Sequence, residues 1–298
     1  MADIAASVLA KLKNKAKAKG ISYMQCLQLF CQEEFLRKLS KSKYVTNLVL
    51  KGGLLIYTLT NFESRATIDV DFLLKEQSST IENIQHIIQE VIDFPTGNDF
   101  IWMEAKAFEV ISPQRKYKGV SAQIIAHIKN VRIPINIDIG VGDVVIPKPE
   151  QRKIQTQLSD YEIPEIFVYS LESTIAEKFD AILQRYELTG RMKDFYDIYY
   201  LALNFDYEGI KLQTAIFETL QNRGTPYEKD SFQRIVELVH HKDMQIKWRF
   251  FLKKLDGGNL EFTRVIDVIQ AFLEPVFNAI LAEVEWQKKW TCSEGTWT

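Results

Sequence analysis

The spacing of apolar residues along the chain changes part way, and the change divides it into two. Residues 3–19 read as a helix ended by Gly20. Ser22 is placed to cap a second helix reaching Leu39, whose apolar face Leu29, Phe35 and Leu39 strengthen. Residues 47–51 form a short apolar strand, 53–60 a short helix starting on a glycine pair, and 66–74 a second strand. Ser79 and Thr80 are cap candidates for a helix over 80–92, and Pro95-Thr96-Gly97-Asn98 then breaks the chain. Strand-like runs follow at 100–111, 119–129 and 131–139. The last, VRIPINIDI, sends its isoleucines to one face and Arg132, Pro134, Asn136 and Asp138 to the other.

After Pro147-Lys148-Pro149 the period becomes helical. Ser170 caps a helix over 171–188 that Thr189-Gly190 closes, and 191–203 is another. Further helices are expected at 208–223, at 230–254 with a break near His240-His241, and at 261–286. Glycine and asparagine at 257–259 separate the last two. Residues 288–298 show no period and are expected to be a loosely packed end. The pattern predicts a mixed α/β sheet with flanking helices over 1–147 and an all-helical domain over 148–298.

Composition narrows the class without changing this outline. At 298 residues, 46% hydrophobic and 26% charged, the chain has ample material for a core and no mark of disorder. A net charge of −2 gives no whole-protein attraction to polyanions, so nucleic-acid binding needs a local basic patch. Lys11, Lys13, Lys15, Lys17 and Lys19 alternate, which on a helix spreads them around the axis as a solvated surface. Cys26, Cys31 and Cys292 form no CxxC and read as reduced thiols. No window approaches the length of a membrane span, and the N-terminal apolar run precedes its lysines, the reverse of a signal peptide. A cytoplasmic protein is expected.

Three features carry candidate chemistry. Asp69 and Asp71 leave one face of a strand and repel each other unless a cation lies between them, a hard-oxygen setting that suits Mg²⁺. A DxD is common, and taken alone the two read as a wet acidic pair on an edge strand. Asp138 adds a third carboxylate near the end of an apolar strand. If that strand neighbours 66–74, three aspartates can hold two metal ions. Asp143, between Gly140, Gly142 and the boundary, is a weaker candidate. Gly52-Gly53 lets a backbone approach a phosphate at a helix start, or makes a plain tight turn. No GxxxxGK[ST] or GxGxxG lies near, which disfavours the P-loop and Rossmann routes to nucleotide binding. In the helical half, Lys178 and Arg185 share a face near Asp194 and Asp197. They form either an ion-pair network between packed helices or a phosphate contact tuned by Asp194.

Lys51-Gly52-Gly53 followed by Arg65-Ala66-Thr67-Ile68-Asp69-Val70-Asp71-Phe72 resembles the signature of the AbiEii/AbiGii toxin family of nucleotidyltransferases. Glu177-Lys178-Phe179, Arg185 and Arg191-Met192-Lys193-Asp194-Phe195-Tyr196-Asp197 are similar to its downstream motif. A tryptophan-bearing helix (Trp248) and a last helix ending FLEPVF extend the likeness over most of the chain. The resemblance implies a nucleotidyltransferase fold whose helical C-terminal domain completes the active site. It also implies nucleotidyl transfer from an NTP with Mg²⁺, two ions being expected, onto an acceptor such as the 3′ end of tRNA, and a cognate antitoxin as partner. Asp69, Asp71 and Asp138 are then metal ligands, and Lys51, Gly52, Gly53, Arg65, Lys178 and Arg185 contact the nucleotide. Asp194 completes the site. Leu54 stands where the family usually has Ser or Thr, and cannot offer a phosphate a hydroxyl. Transfer to a protein or small molecule, a degenerate nucleotide- or partner-binding module, and a two-metal nuclease are the alternatives.

Overall fold

Local caps set the limits of the first helices. In the computed structural model, which describes residues 3–111, 119–255 and 258–298, Asp3 accepts from the Ala6 amide to start α1 (Ile4–Lys19) and Gly20 closes it. Gly257, expected to help separate the last two helices, lies outside the described residues. Ser22 accepts from the Gln25 amide to start α2 (Tyr23–Lys41). Then come β1 (Leu48–Lys51), α3 (Gly52–Leu59), β2 (Asp69–Leu74), Thr80-capped α4 (Ile81–Asp93), β3 (Ile101–Ile111), β4 (Gly119–Ile128) and β5 (Val131–Val141).

The stretch after Pro149 does not turn helical at once. It supplies β6 (Glu150–Lys153) and β7 (Glu165–Val168), which complete a seven-stranded sheet in the order β3-β4-β5-β2-β1-β7-β6. The pairs β2–β5 and β1–β7 are parallel and the others antiparallel, so the sheet is mixed. Every side chain of β6 is exposed, and a strand without a buried face leaves no hydrophobic period to read.

The chain divides into two compact units. The first is Met1–Gly142 with Pro149–Tyr169, and the second Asp143–Lys148 with Ser170–Thr298. In the first, Leu50, Val70, Phe72, Ile137 and Ile139 fill one face of the sheet. Phe35 of α2 meets Phe72 with ring centroids 5.9 Å apart. The α1 lysines are partly used inside this unit: Lys11 pairs with Asp160, Lys15 donates to the Gln157 carbonyl, and Lys19 stands 4.5 Å from the Phe62 ring.

A polar cluster on α2 is buried in the same unit. Arg37 donates to Glu34 at 2.8 Å and to the Glu162 carbonyl at 2.8 Å; Glu34 also accepts from Asn98 and Thr96. Glu33 accepts from the Gln157 amide at 2.8 Å, and burial pushes its carboxyl up to about 8 despite Arg37. At neutral pH Glu33 therefore keeps its proton inside the cluster. Because the folded chain keeps a proton that the unfolded chain releases, stability is expected to fall as pH rises from the ordinary carboxylate range through about 8. Thermal melts across that range should show the decline, and Glu33→Gln should flatten it.

The second unit holds α5 (Leu171–Leu183), α6 (Met192–Asn204), β8 (Tyr207–Glu208), α7 (Gly209–Arg223), α8 (Ser231–Glu237), α9 (Lys242–Leu255) and α10 (Phe262–Leu281). Ser170 caps α5 as expected, but the helix ends at Leu183 and a 3-10 turn occupies Tyr186–Leu188. The break near His240 is likewise a 3-10 turn, Leu238–His240. The C-terminal stretch is not loose. It forms β9 (Lys289–Thr291) and β10 (Thr296–Trp297), which join β8 in a small sheet. Trp290 donates to the Ala202 carbonyl at 2.7 Å, and Trp297 stacks on Phe272 and donates to its carbonyl at 3.0 Å. Strands of two and three residues are too short to show a period; buried indoles with satisfied N–H groups anchor them instead. Among the described residues no helix is long and apolar enough to cross a membrane.

Candidate active site

Strand register assembles the first half of the candidate chemistry. In the parallel β2–β5 pair Asp71 lies opposite Asp138, and Asp69 opposite Asn136. Antiparallel β1 sets Lys51 opposite Asp71, and β4 sets Ser121 opposite Asp138. Paired residues on neighbouring strands share a face about 4.8 Å apart. Lys51, Asp71, Asp138 and Ser121 therefore form one polar row on the face opposite Phe72 and Ile137. All three aspartates are half-buried. Among the described residues, no three His, Cys, Asp or Glu side chains are grouped closely enough to hold a metal ion by themselves.

The glycine turn is built against this row. Gly52 has φ of +72°, and a Cβ there would fall 2.7 Å from Asp71 Cγ and closer still to its Oδ2. Only glycine satisfies both the backbone and the carboxylate. A Cβ on Gly53 would lie 3.2 Å from Arg65 Nη2 and 3.2 Å from Thr67 Oγ1. The turn thus meets Asp71, a guanidinium and a hydroxyl. α3 starts here with no side-chain cap on its first amides. Leu54 is 2% exposed and packs inward. Thr67, which drew no attention in the sequence beyond its place in a motif, brings a hydroxyl to the turn instead. Lys51 also stands 5.0 Å from the Tyr169 ring.

Gly52→Ala is expected to cost about 1–2 kcal/mol for the left-handed backbone alone, with the Asp71 overlap added to it. A lowered melting temperature together with lost activity checks both parts.

A separate candidate cluster lies in the helical unit. Lys178 of α5 reaches Asp194 Oδ1 at 3.2 Å and Asp197 Oδ2 at 2.6 Å, and both carboxylates are 1% exposed. Arg191 donates to Asp194 at 2.5 Å. Burial acts to raise the Asp194 carboxyl, but Lys178 and Arg191 outweigh it and hold the group below its ordinary range. Asp197 is the closer partner of the ammonium. Its spacing of three from Asp194 was the visible signal. Arg185 turns back to the Ala181 carbonyl at 3.4 Å. Asp143 is taken up by Arg223, whose Nη2 lies 2.8 Å from it.

Solved structures share the mixed sheet and its flanking helices. MenT4, a nucleotidyltransferase toxin from Mycobacterium tuberculosis H37Rv, is similar with a TM-score of 0.54 at 16% identity, over 92% of this chain and 99% of its own. A protein from H. pylori, described with reservation as a nucleotidyltransferase, gives 0.50 at 11% identity over 89% and 100%. Curated protein sequences give no match. The family model described as nucleotidyl transferase AbiEii toxin, type IV toxin–antitoxin system, matches residues 34–283, and the chain belongs to that family.

Proposed function

We propose that this nucleotidyltransferase moves a nucleotidyl group from an NTP, with Mg²⁺, to the 3′ end of tRNA and releases pyrophosphate, as the cytoplasmic toxin of a pair with a cognate antitoxin. The observation that carries the reading is the seating of Gly52 on Asp71 in the row that also holds Asp138. Mg²⁺ commonly takes one or two carboxylates and fills its remaining positions with water and substrate phosphate. Asp71 and Asp138 fit that donor set without a third acid, and Asp69 follows on the same face of β2. Bound Mg²⁺, with two ions expected, would neutralise phosphate charge and make the acceptor hydroxyl easier to deprotonate.

The chain's own residues do the rest. The amides of Gly52 and Gly53 and the Arg65 guanidinium receive phosphate oxygens, and Lys51 adds positive charge at the end of β1. Asp138 is assigned the proton of the attacking hydroxyl. Lys178, Arg185 and Asp194 enter through the family motif they match. Lys178 is assigned to the triphosphate and Asp194 to fixing it, a role supported by the two carboxylates that hold its ammonium.

The test is incubation with each of the four labelled NTPs, Mg²⁺ and total tRNA, in which label is expected on tRNA with at least one NTP. Label on protein, or only after small molecules are added, replaces the acceptor and keeps the chemistry. No transfer together with no Mg²⁺-dependent NTP binding by calorimetry makes the chain a degenerate module.

A further inference from the structure

The helix α9, KDMQIKWRFFLKKL, carries Lys242, Lys247, Arg249, Lys253 and Lys254 against a single carboxylate, Asp243, in a chain whose net charge is −2. Lys242, Ile246, Arg249, Phe250 and Lys253 follow one another at helical spacing on the exposed side. Phe250 is 66% exposed and Ile246 42%. Among the described residues no carboxylate pairs with Lys242, Arg249, Lys253 or Lys254, unlike Lys11 of α1 with its Asp160. Met244, Trp248 and Leu252 bury the other side, and Phe251 meets Tyr196 of α6 with centroids 5.7 Å apart. Lys247 donates to the Glu187 and Thr189 carbonyls at 3.0 Å each, fixing the turn that leads to Arg191. The helix that carries the basic face therefore packs on α6, which holds Asp194 and Asp197.

We propose that this face of α9 docks the phosphate backbone of a structured RNA, with Phe250 seated against a ribose or an unstacked base. The choice of RNA among polyanions rests on the transferase reading above. An anionic membrane is disfavoured because a helix lying on lipid must offer its apolar face, and that face of α9 is buried in the unit. Alternating cations and an aromatic ring suit phosphates and bases instead.

The experiment is fluorescence anisotropy with labelled total tRNA over a salt series, comparing the full chain with the triple variant Lys242→Gln, Arg249→Gln, Lys253→Gln and with Phe250→Ala. The triple variant is expected to bind roughly tenfold or more weakly, with a slope of log K against log salt shallower by about two to three. Phe250→Ala should lose roughly tenfold while keeping the slope. Circular dichroism melts establish that each variant is folded. Wild-type affinity and slope in the folded triple variant overturn the proposal. So does a wild-type chain that binds phosphatidylserine vesicles or an acidic protein through these residues but not tRNA. Transfer by the wild type with unaltered tRNA affinity in the variant removes the docking face and leaves the active site. Lost tRNA affinity without transfer in the wild type does the reverse.

Discussion

Asp71→Asn is expected to lower nucleotidyl transfer by roughly 10³-fold or more, because metal stabilisation of transition-state charge is worth several kcal/mol and each 1.4 kcal/mol is tenfold. The substitution keeps the volume that Gly52 packs against. What it removes is the anionic oxygen in the row with Asp138. An amide oxygen is a poorer partner for a hard dication, and its nitrogen end is no ligand at all. Initial rates with the productive NTP, measured on protein shown to melt as the wild type does, give the comparison. A rate within a few-fold of wild type would take Asp71 out of the site and the metal assignment with it. Asp138→Asn tests the other side of the pair and should also lose transfer, since both ligation and proton acceptance are assigned to it.

The parts of this site differ in how far they could be read before folding. VRIPINIDI alternates so regularly that the face carrying Asp138 was plain, as was the shared face of Asp69 and Asp71. Their neighbourhood was not plain, because the β2–β5 register joins segments more than sixty residues apart and no local pattern encodes it. For the same reason the glycine pair looked like an ordinary tight turn. Its contact with Asp71 exists only once β1 and β2 pair with Lys51 opposite Asp71. Leu54 looked like a lost phosphate ligand, whereas its side chain belongs to the core and Thr67 reaches the turn from the loop that leads into β2. Helical spacing showed Lys178 near two aspartates. The closer bond to Asp197 depends on how α5 packs on α6, which spacing along one helix does not determine. β6 and the two-tryptophan tail were invisible for a different reason: one buries nothing, and the other folds on single large side chains rather than a repeat.

Removing the Arg223 side chain should destabilise the helical unit strongly. The guanidinium meets Asp143 at 2.8 Å, Asp180 at 2.9 Å and Glu177 at 3.3 Å. Its side chain is 16% exposed and that of Asp180 only 1%. Burial works against the charge on Arg223, but the three carboxylates outweigh it and hold the group protonated far above the ordinary range. Arg223→Met would leave three partly or fully buried acids without their cation, and losing one partner of a buried pair costs about 3–5 kcal/mol. Arg223→Lys keeps the charge and loses the fork, so it should fall between the two. The pH dependence separates this account from simple loss of packing. In Arg223→Met the cost lies in carboxylates that have lost the guanidinium, and protonating a carboxylate in acid relieves that cost. The penalty is then full where the carboxylates are ionised and shrinks as pH falls and they take up protons. Urea melts at mildly acidic and neutral pH should show the variant's deficit narrowing in acid. A deficit independent of pH would mean that the methylenes of Arg223, rather than its charge, hold α7 to α5.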